Sequence, residues 1–290
     1  MLNSNAAANP RTVLGIVTRN RASLLTRSIR SACAQDCPDL QVWVINNGSN
    51  DGTADVANRF PTVIWTDWPS NRGYVAARNH FIAQSDAKYF VSLDDDAWFI
   101  RGDEVRTGIM FLDSHPDVAA VGFDIVSPDR PQKNERTVAK PAPVFIGCGH
   151  ILRLAALHQV GSYVSAPGSY GGEEKDLALR LMDAGYQVVT LPGVHVWHDK
   201  SEMARNIAEQ HRSGVCNDFA MTLRRTPLVL LPIALMSKLY QHFRFARAHG
   251  LEVPFGNGLQ LFIRSLREVW KTRKPVRIAT LRAYLKLSQG

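Results

Sequence analysis

Three consecutive carboxylates, Asp94, Asp95 and Asp96, follow directly on the apolar run Tyr89-Phe90-Val91-Ser92-Leu93 and precede Ala97-Trp98. A short apolar run of this kind reads as a buried strand, which puts the triplet at the strand's end. Crowded carboxylates must be solvated, protonated or neutralised by a cation, and a hard divalent metal ion is the commonest neutraliser of such a cluster. For the triplet alone the plainer reading is a solvated acidic turn. A second acidic cluster, Glu173-Glu174-Lys175-Asp176, follows Gly171-Gly172. It opens a helical pattern through Leu177, Leu179, Arg180 and Leu181, with Gly185 as its stop. Acidic groups in a first helical turn also suit the helix dipole. In His195-Val196-Trp197-His198, the alternation is expected to put both histidines on one face of an extended segment.

The elements that must position these groups alternate. Thr12 to Val17 predicts a strand and Ser23 to Ala34 a helix; Gln41 to Ile45 predicts a strand ending in the turn-rich Asn46-Asn47-Gly48-Ser49-Asn50-Asp51-Gly52-Thr53. A helix is expected through Ala54 to Arg59, a strand over Thr62 to Thr66, a helix over Tyr74 to Gln84 and a strand over Lys88 to Leu93. Such alternation builds an open, mostly parallel sheet with helices on both faces and its ligand crevice at the carboxyl ends of the strands. Asn46 to Asp51 and Asp94 to Asp96 both fall at such ends. Further along, Val126 to Pro143 reads as a long surface loop, Phe145 to Ile151 as a glycine-containing strand, and Gln187 to Leu191 as another strand.

Together these segments resemble the family 2 glycosyltransferases, nucleotide-sugar-dependent enzymes of GT-A (Rossmann-like) α/β fold, over roughly residues 12 to 200. Four places carry the resemblance: Asn47-Gly48-Ser49 with Asp51-Gly52-Thr53; Asn71-Arg72-Gly73 followed by Ala76-Ala77-Arg78-Asn79; Leu93-Asp94-Asp95-Asp96; and Gly172-Glu173-Glu174-Lys175-Asp176-Leu177 with Arg180. The resemblance implies an inverting sugar transfer assisted by Mn2+ or Mg2+. Asp94 and Asp96 correspond to an Asp-any-Asp motif, Asp94 nearer the ribose and Asp96 on the metal, with Asp95 serving either. His198 resembles a histidine that completes the metal site, with His195 as its competitor. Glu174 occupies the place of the base that takes the acceptor proton, with Glu173 and Asp176 as alternatives. The nucleotide sugar is expected against Thr18, Arg19, Asn20, Asn46, Asn47, Gly48, Asn71 and Gly73, and its diphosphate against Arg78. Where Asn46 stands the family commonly has an Asp that pairs with uracil. An amide offers both donor and acceptor, so it can still bond a pyrimidine, in a different pattern; the expected donor is a UDP-sugar, with dTDP or GDP open.

Bulk properties agree with an ordinary globular chain: 290 residues, 45% hydrophobic and 21% charged. Four scattered cysteines, at 33, 37, 148 and 216, make neither a disulfide framework nor a thiolate zinc site and fit a reducing cytoplasm. Met1 to Pro10 shows no secretory pattern, and the longest apolar stretch, Leu228 to Met236, is interrupted by Pro232. It falls far short of the roughly 20 residues of a bilayer span. Residues 1–10 are expected as a flexible terminus, 11–200 as the catalytic domain and 201–290 as a basic helical extension. Residues 1–200 carry 19 Lys/Arg against 21 Asp/Glu, a net −2; residues 201–290 carry 15 against 5, a net +10. The basic extension suits an anionic membrane face, and with it a glycan, glycolipid or lipid-linked acceptor at the inner surface. Nucleic acid is not expected, since few aromatics interleave the cations. The alternative from another class is a non-catalytic nucleotide- or polyanion-binding protein on the same fold. A sugar nucleotidyltransferase lacks support because no glycine-rich phosphate loop follows the first strand, and a glycosidase needs no metal cluster.

Overall fold

The computed structural model describes residues 11–131, 138–199 and 206–289. The expected flexible segment 1–10 and part of the expected loop 126–143 lie outside them. Contacts along the chain divide it into two compact units: residues 1–162 with 184–200, and residues 163–183 with 201–290. The sequence places a single boundary near residue 200, whereas the contacts also assign residues 163–183 to the C-terminal unit.

The first unit is built on a nine-stranded sheet. Its strands are β1 (Thr12–Thr18), β2 (Leu40–Asn47), β3 (Ile64–Trp68), β4 (Tyr89–Asp94), β5 (Ala97–Phe99), β6 (Val118–Val126), β7 (Lys140–Pro141), β8 (Gly149–Arg153) and β9 (Gln187–His198). They lie in the order β3-β2-β1-β4-β8-β6-β9-β5, with β7 paired to β9. The pairs β1/β2, β1/β4, β2/β3 and β6/β9 are parallel, whereas β8 runs antiparallel to both β4 and β6. Six strands therefore point one way, the mostly parallel sheet expected. Continuous burial explains why β1 and β4 are mostly apolar rather than alternating.

Helix α1 (Ala22–Cys33) buries Leu25, Ile29 and Ala32 at helical spacing. Helix α2 (Tyr74–Gln84) brings Phe81 over Gly15 so closely that a Cβ there would stand 2.4 Å from the ring. Helices α3 (Glu104–Ser114) and α4 (Leu154–Val160) complete the unit. Three expectations are corrected. Ala54–Arg59 is 3-10 rather than α-helical. Residues 145–148 are not strand, and β8 begins only at Gly149. The strand over Gln187 to Leu191 continues to His198, through a register shift beside Gly193, whose φ is +85°.

The second unit is helical: α5 (Glu173–Asp183), α6 (Ile207–Arg225), α7 (Leu231–His249), α8 (Glu252–Lys271) and α9 (Ile278–Gln289). Its core joins Val215, Phe219 and Leu223 of α6 to Leu231 of α7 and Phe262 and Val269 of α8. Gly258 allows α8 close to α6, because a Cβ there would meet the Arg212 carbonyl at 2.6 Å.

Candidate active site

In the first unit the carboxyl ends of β1, β2, β4 and β9 meet, and most of the expected site residues meet with them. Register pairs Thr18 with Asn46 and Val17 with Asp94. Two loops are tied over the crevice. The Asn20 amide donates to Ser49 Oγ (2.9 Å) and the Asn50 amide to Asn20 Oδ1 (2.9 Å), with Asn20 held at φ +55°. Asn tolerates this left-handed conformation better than most side chains. Asn47 Nδ2 donates to Asn71 Oδ1 (3.0 Å), while the Arg72 amide donates to Asn47 Oδ1 (2.8 Å). Gly48, at φ +73°, lies where a Cβ would be 2.5 Å from the Asn71 amide nitrogen, so only glycine fits between the loops. Gly73, at φ +83°, precedes α2. Thus Asn47, Gly48, Asn71 and Gly73 build the loop, Thr18 is buried beneath it, and Arg19 is exposed at its rim.

The triplet is partly neutralised by the protein itself. Asp94 accepts from Arg78 Nη2 at 3.0 Å, and the same guanidinium donates to the Gly147 carbonyl. Arg78, expected on a diphosphate, is buried and instead braces Asp94. Arg21 Nη1 reaches Asp95 (2.8 Å) and Asp96 (3.0 Å). Burial raises the Asp95 carboxyl to a pKa of about 6 despite the nearby Arg21. Burial works in the same direction on Asp96, but His198 and Arg21 outweigh it and hold that carboxylate below its ordinary value.

His198 Nε2 lies 3.3 Å from Asp96 Oδ1. Donor atoms of Asp94, Cys148 and His198 all lie within 4.8 Å of one another. One carboxylate, one imidazole and one thiol thus converge on one point, with Asp96 reaching it through His198, and carboxylate with imidazole is a donor set that accepts a divalent ion such as Mn2+. The expected common face for the histidines is corrected. In regular strand, residues three apart point to opposite faces. His195 is buried with Nε2 3.7 Å from Asp124, away from His198's partner Asp96.

Arg21, Cys148 and Asp67 were missed by sequence reasoning. Asn46 Nδ2 donates to Asp67 Oδ1 (2.8 Å) and Asn46 Oδ1 accepts from the Ser49 amide (3.2 Å). Asp67 thereby sets a carboxylate beside the strand end where the sequence offers only an amide. The Asn46–Asp67 and Arg21–Asp96 pairs span 21 and 75 residues, and no local signal joins their members.

The second acidic cluster belongs to the second unit. Glu173, Glu174 and Asp176 occupy the first turn of α5, with Glu173 buried and Glu174 half-buried. Asp176, the third base candidate, is committed to ion pairs. Arg180 Nε (2.8 Å) and Arg225 Nε (2.6 Å) both donate to it, so both of its oxygens are engaged by buried guanidiniums. It fixes α5 against α6. The glycine turn ahead of α5 is fixed by Asn217, which accepts from the Gly168 amide (2.7 Å) and donates to the Gly171 carbonyl (2.6 Å). Asn217 also escaped the sequence reading.

The model of the family described as glycosyl transferase family 2 matches residues 14–164. Glycosyltransferase AglE of Haloferax volcanii is 26% identical over 219 residues, covering 67% of this chain and 69% of AglE. The succinoglycan biosynthesis protein ExoU of Rhizobium meliloti is 33% identical over 136 residues, 40% of this chain and 38% of ExoU. Among solved structures, the mannosyltransferase PcManGT of Pyrobaculum calidifontis, in complex with GDP-Man and Mn2+, superposes with a TM-score of 0.61 at 19% identity. That superposition covers 97% of this chain and 88% of PcManGT, and shows the GT-A fold.

Proposed function

We propose, from the premise that this chain belongs to glycosyl transferase family 2, that it moves a hexosyl or deoxyhexosyl group, with inversion, from a nucleoside-diphosphate sugar to a hydroxyl of a glycan, glycolipid or lipid-linked acceptor. The observation that carries this reading is the convergence of Asp94, Cys148 and His198 beside the strand ends, with Asp96 paired to His198. A divalent cation held there, Mn2+ or Mg2+, would supply Lewis-acid stabilisation for the charge left on the departing diphosphate. PcManGT, which shares the fold, was solved with both GDP-Man and Mn2+.

The chain's own groups divide the remaining work. Arg78 and Arg21 keep the three carboxylates from repelling one another apart. Asn20, Asn47, Gly48, Asn71 and Gly73 shape the nucleotide crevice, and Asn46 with Asp67 reads the base. UDP is the first candidate and dTDP or GDP the others. Glu174 takes the acceptor proton as the glycosidic bond forms, with Glu173 next to it, while Asp176 and Asn217 set the position of α5. A single base acting in a single displacement inverts the anomeric centre. The similarity to ExoU, a succinoglycan biosynthesis protein, supports a role in polysaccharide synthesis, and the free cysteines suit a reaction in the cytoplasm.

A thermal-shift screen of nucleoside diphosphates with and without Mn2+ tests the donor. One nucleotide should stabilise the protein in a metal-dependent way. Incubation with the matching sugar nucleotide, followed by NMR of the product anomeric proton, then tests inversion. Absence of any nucleotide response would favour a non-catalytic polyanion-binding protein.

A further inference from the structure

The second unit leaves an apolar helix face in water. Along the turn 228–230 and α7, Val229 (74% exposed), Ile233 (70%), Met236 (63%), Tyr240 (61%) and Phe243 (49%) recur at steps of four, three, four and three. At 3.6 residues per turn the four members on α7 fall within one narrow stripe about 15 Å long. Arg244 and Arg247, both exposed, continue that stripe at its C-terminal end. The opposite side of α7 is already occupied: Leu231 enters the unit's core, with Leu235 and Leu239 packed against it. Lys238 and His242 approach the half-buried Asp218 of α6, at 3.6 and 3.2 Å. The helix is therefore anchored by one face while the other is bare. Isolated exposed apolar residues need no explanation, but a continuous exposed row does.

Charge selects the occupant. From Leu228 to Leu251 the chain contains Lys238, Arg244 and Arg247 and no Asp or Glu. A second copy docked through this stripe, parallel or antiparallel, would offer Arg244 and Arg247 no acid to pair with, since neither helix carries one. An anionic lipid surface matches both features, taking the apolar row into the acyl boundary while long arginines reach the phosphates. No described helix is long and apolar enough to cross a membrane, so the contact lies in the plane of the surface.

We propose that Val229, Ile233, Met236, Tyr240 and Phe243, with Arg244 and Arg247, form an in-plane docking face for an anionic lipid bilayer. This goes beyond the transfer chemistry and stands apart from it, since none of these residues belongs to the candidate site. The test is sedimentation of the full chain with large vesicles of phosphatidylcholine, alone or mixed with phosphatidylglycerol. The wild type should pellet with the mixed vesicles, less so as salt rises. The triple variant Ile233→Ser, Met236→Ser, Tyr240→Ser should lose about tenfold or more in partitioning. The pair Arg244→Gln, Arg247→Gln should lose most of the salt dependence. All positions being exposed, circular dichroism and Tm should be unchanged in both variants. Failure of the wild type to pellet, or undiminished pelleting of the folded triple variant, would overturn the proposal. So would a concentration-dependent dimer in light scattering that the triple variant abolishes without any vesicle binding, which would assign the face to a second copy.

Discussion

Both units bury acidic side chains, but they balance them differently. In the helical unit two acids are outnumbered by cations: buried Asp176 is held by Arg180 and Arg225, and half-buried Asp218 by Lys175, Lys238 and His242. At the strand ends of the first unit, three adjacent carboxylates share two guanidiniums and one imidazole. Asp94 remains partly open to solvent, and burial pushes Asp95 towards its neutral form. A closed hub of one acid and several bases has nothing left to bind and serves as structure. A cluster with surplus acid and an open edge is poised for one more cation, and there the chemistry should lie.

That contrast is open to test, beginning with the largest effect. Glu174→Gln should slow transfer by about 10²–10⁴-fold while leaving the nucleotide-induced thermal shift intact, because only the proton acceptor is removed. Asp176→Ala should act on folding rather than chemistry. It strands two buried guanidiniums, and urea titration should show a loss of about 3–5 kcal/mol. Asp218→Asn should cost about 2 kcal/mol near neutral pH. Burial works to raise the Asp218 pKa, but His242, Lys175 and Lys238 hold the carboxylate well below its ordinary range. With the folded pKa depressed, the stabilisation is complete above the unfolded value near 3.8 and is lost as pH falls towards the folded one. A Tm-against-pH series should therefore show a flatter acid limb in the variant. The smallest effect belongs to Asp113, a surface acid shared by Arg11, Lys88 and Tyr89. Burial opposes these partners, which still bring it down to about 2. Asp113→Asn should cost only about 0.5–1 kcal/mol, and less in high salt.

Strand ends and turn chemistry were legible from sequence because their signals are local. The apolar runs over residues 12–17 and 88–93 give β1 and β4 to within a residue or two, and the expected α2 matches Tyr74–Gln84. Asn47-Gly48-Ser49 marked a tight loop for a reason the structure supplies, the approach of the Asn71 backbone to Gly48. What the sequence hid was pairing at a distance. Nothing local ties Arg21 to Asp95, Arg78 to Asp94, or Arg225 to Asp176, and each such bond decides whether an acid is available for chemistry. The histidines failed for another reason, an offset of three in a period of two, which separates His195 from His198. The turn-rich run before Ala54 gave no means of telling a 3-10 turn from an α-helix, since both take the same caps.

The central claim is that Asp94, Asp96 and His198 hold a divalent cation that grips the donor's diphosphate. Isothermal titration of the nucleoside diphosphate chosen by the thermal screen, in Mn2+ and in EDTA, for the wild type and for Asp96→Asn, tests it most directly. Wild-type binding should weaken by about tenfold or more on chelation, and the variant's weak binding should no longer respond to Mn2+. Equal affinity with and without Mn2+ in the wild type, or an undiminished Mn2+ response in Asp96→Asn, would contradict it.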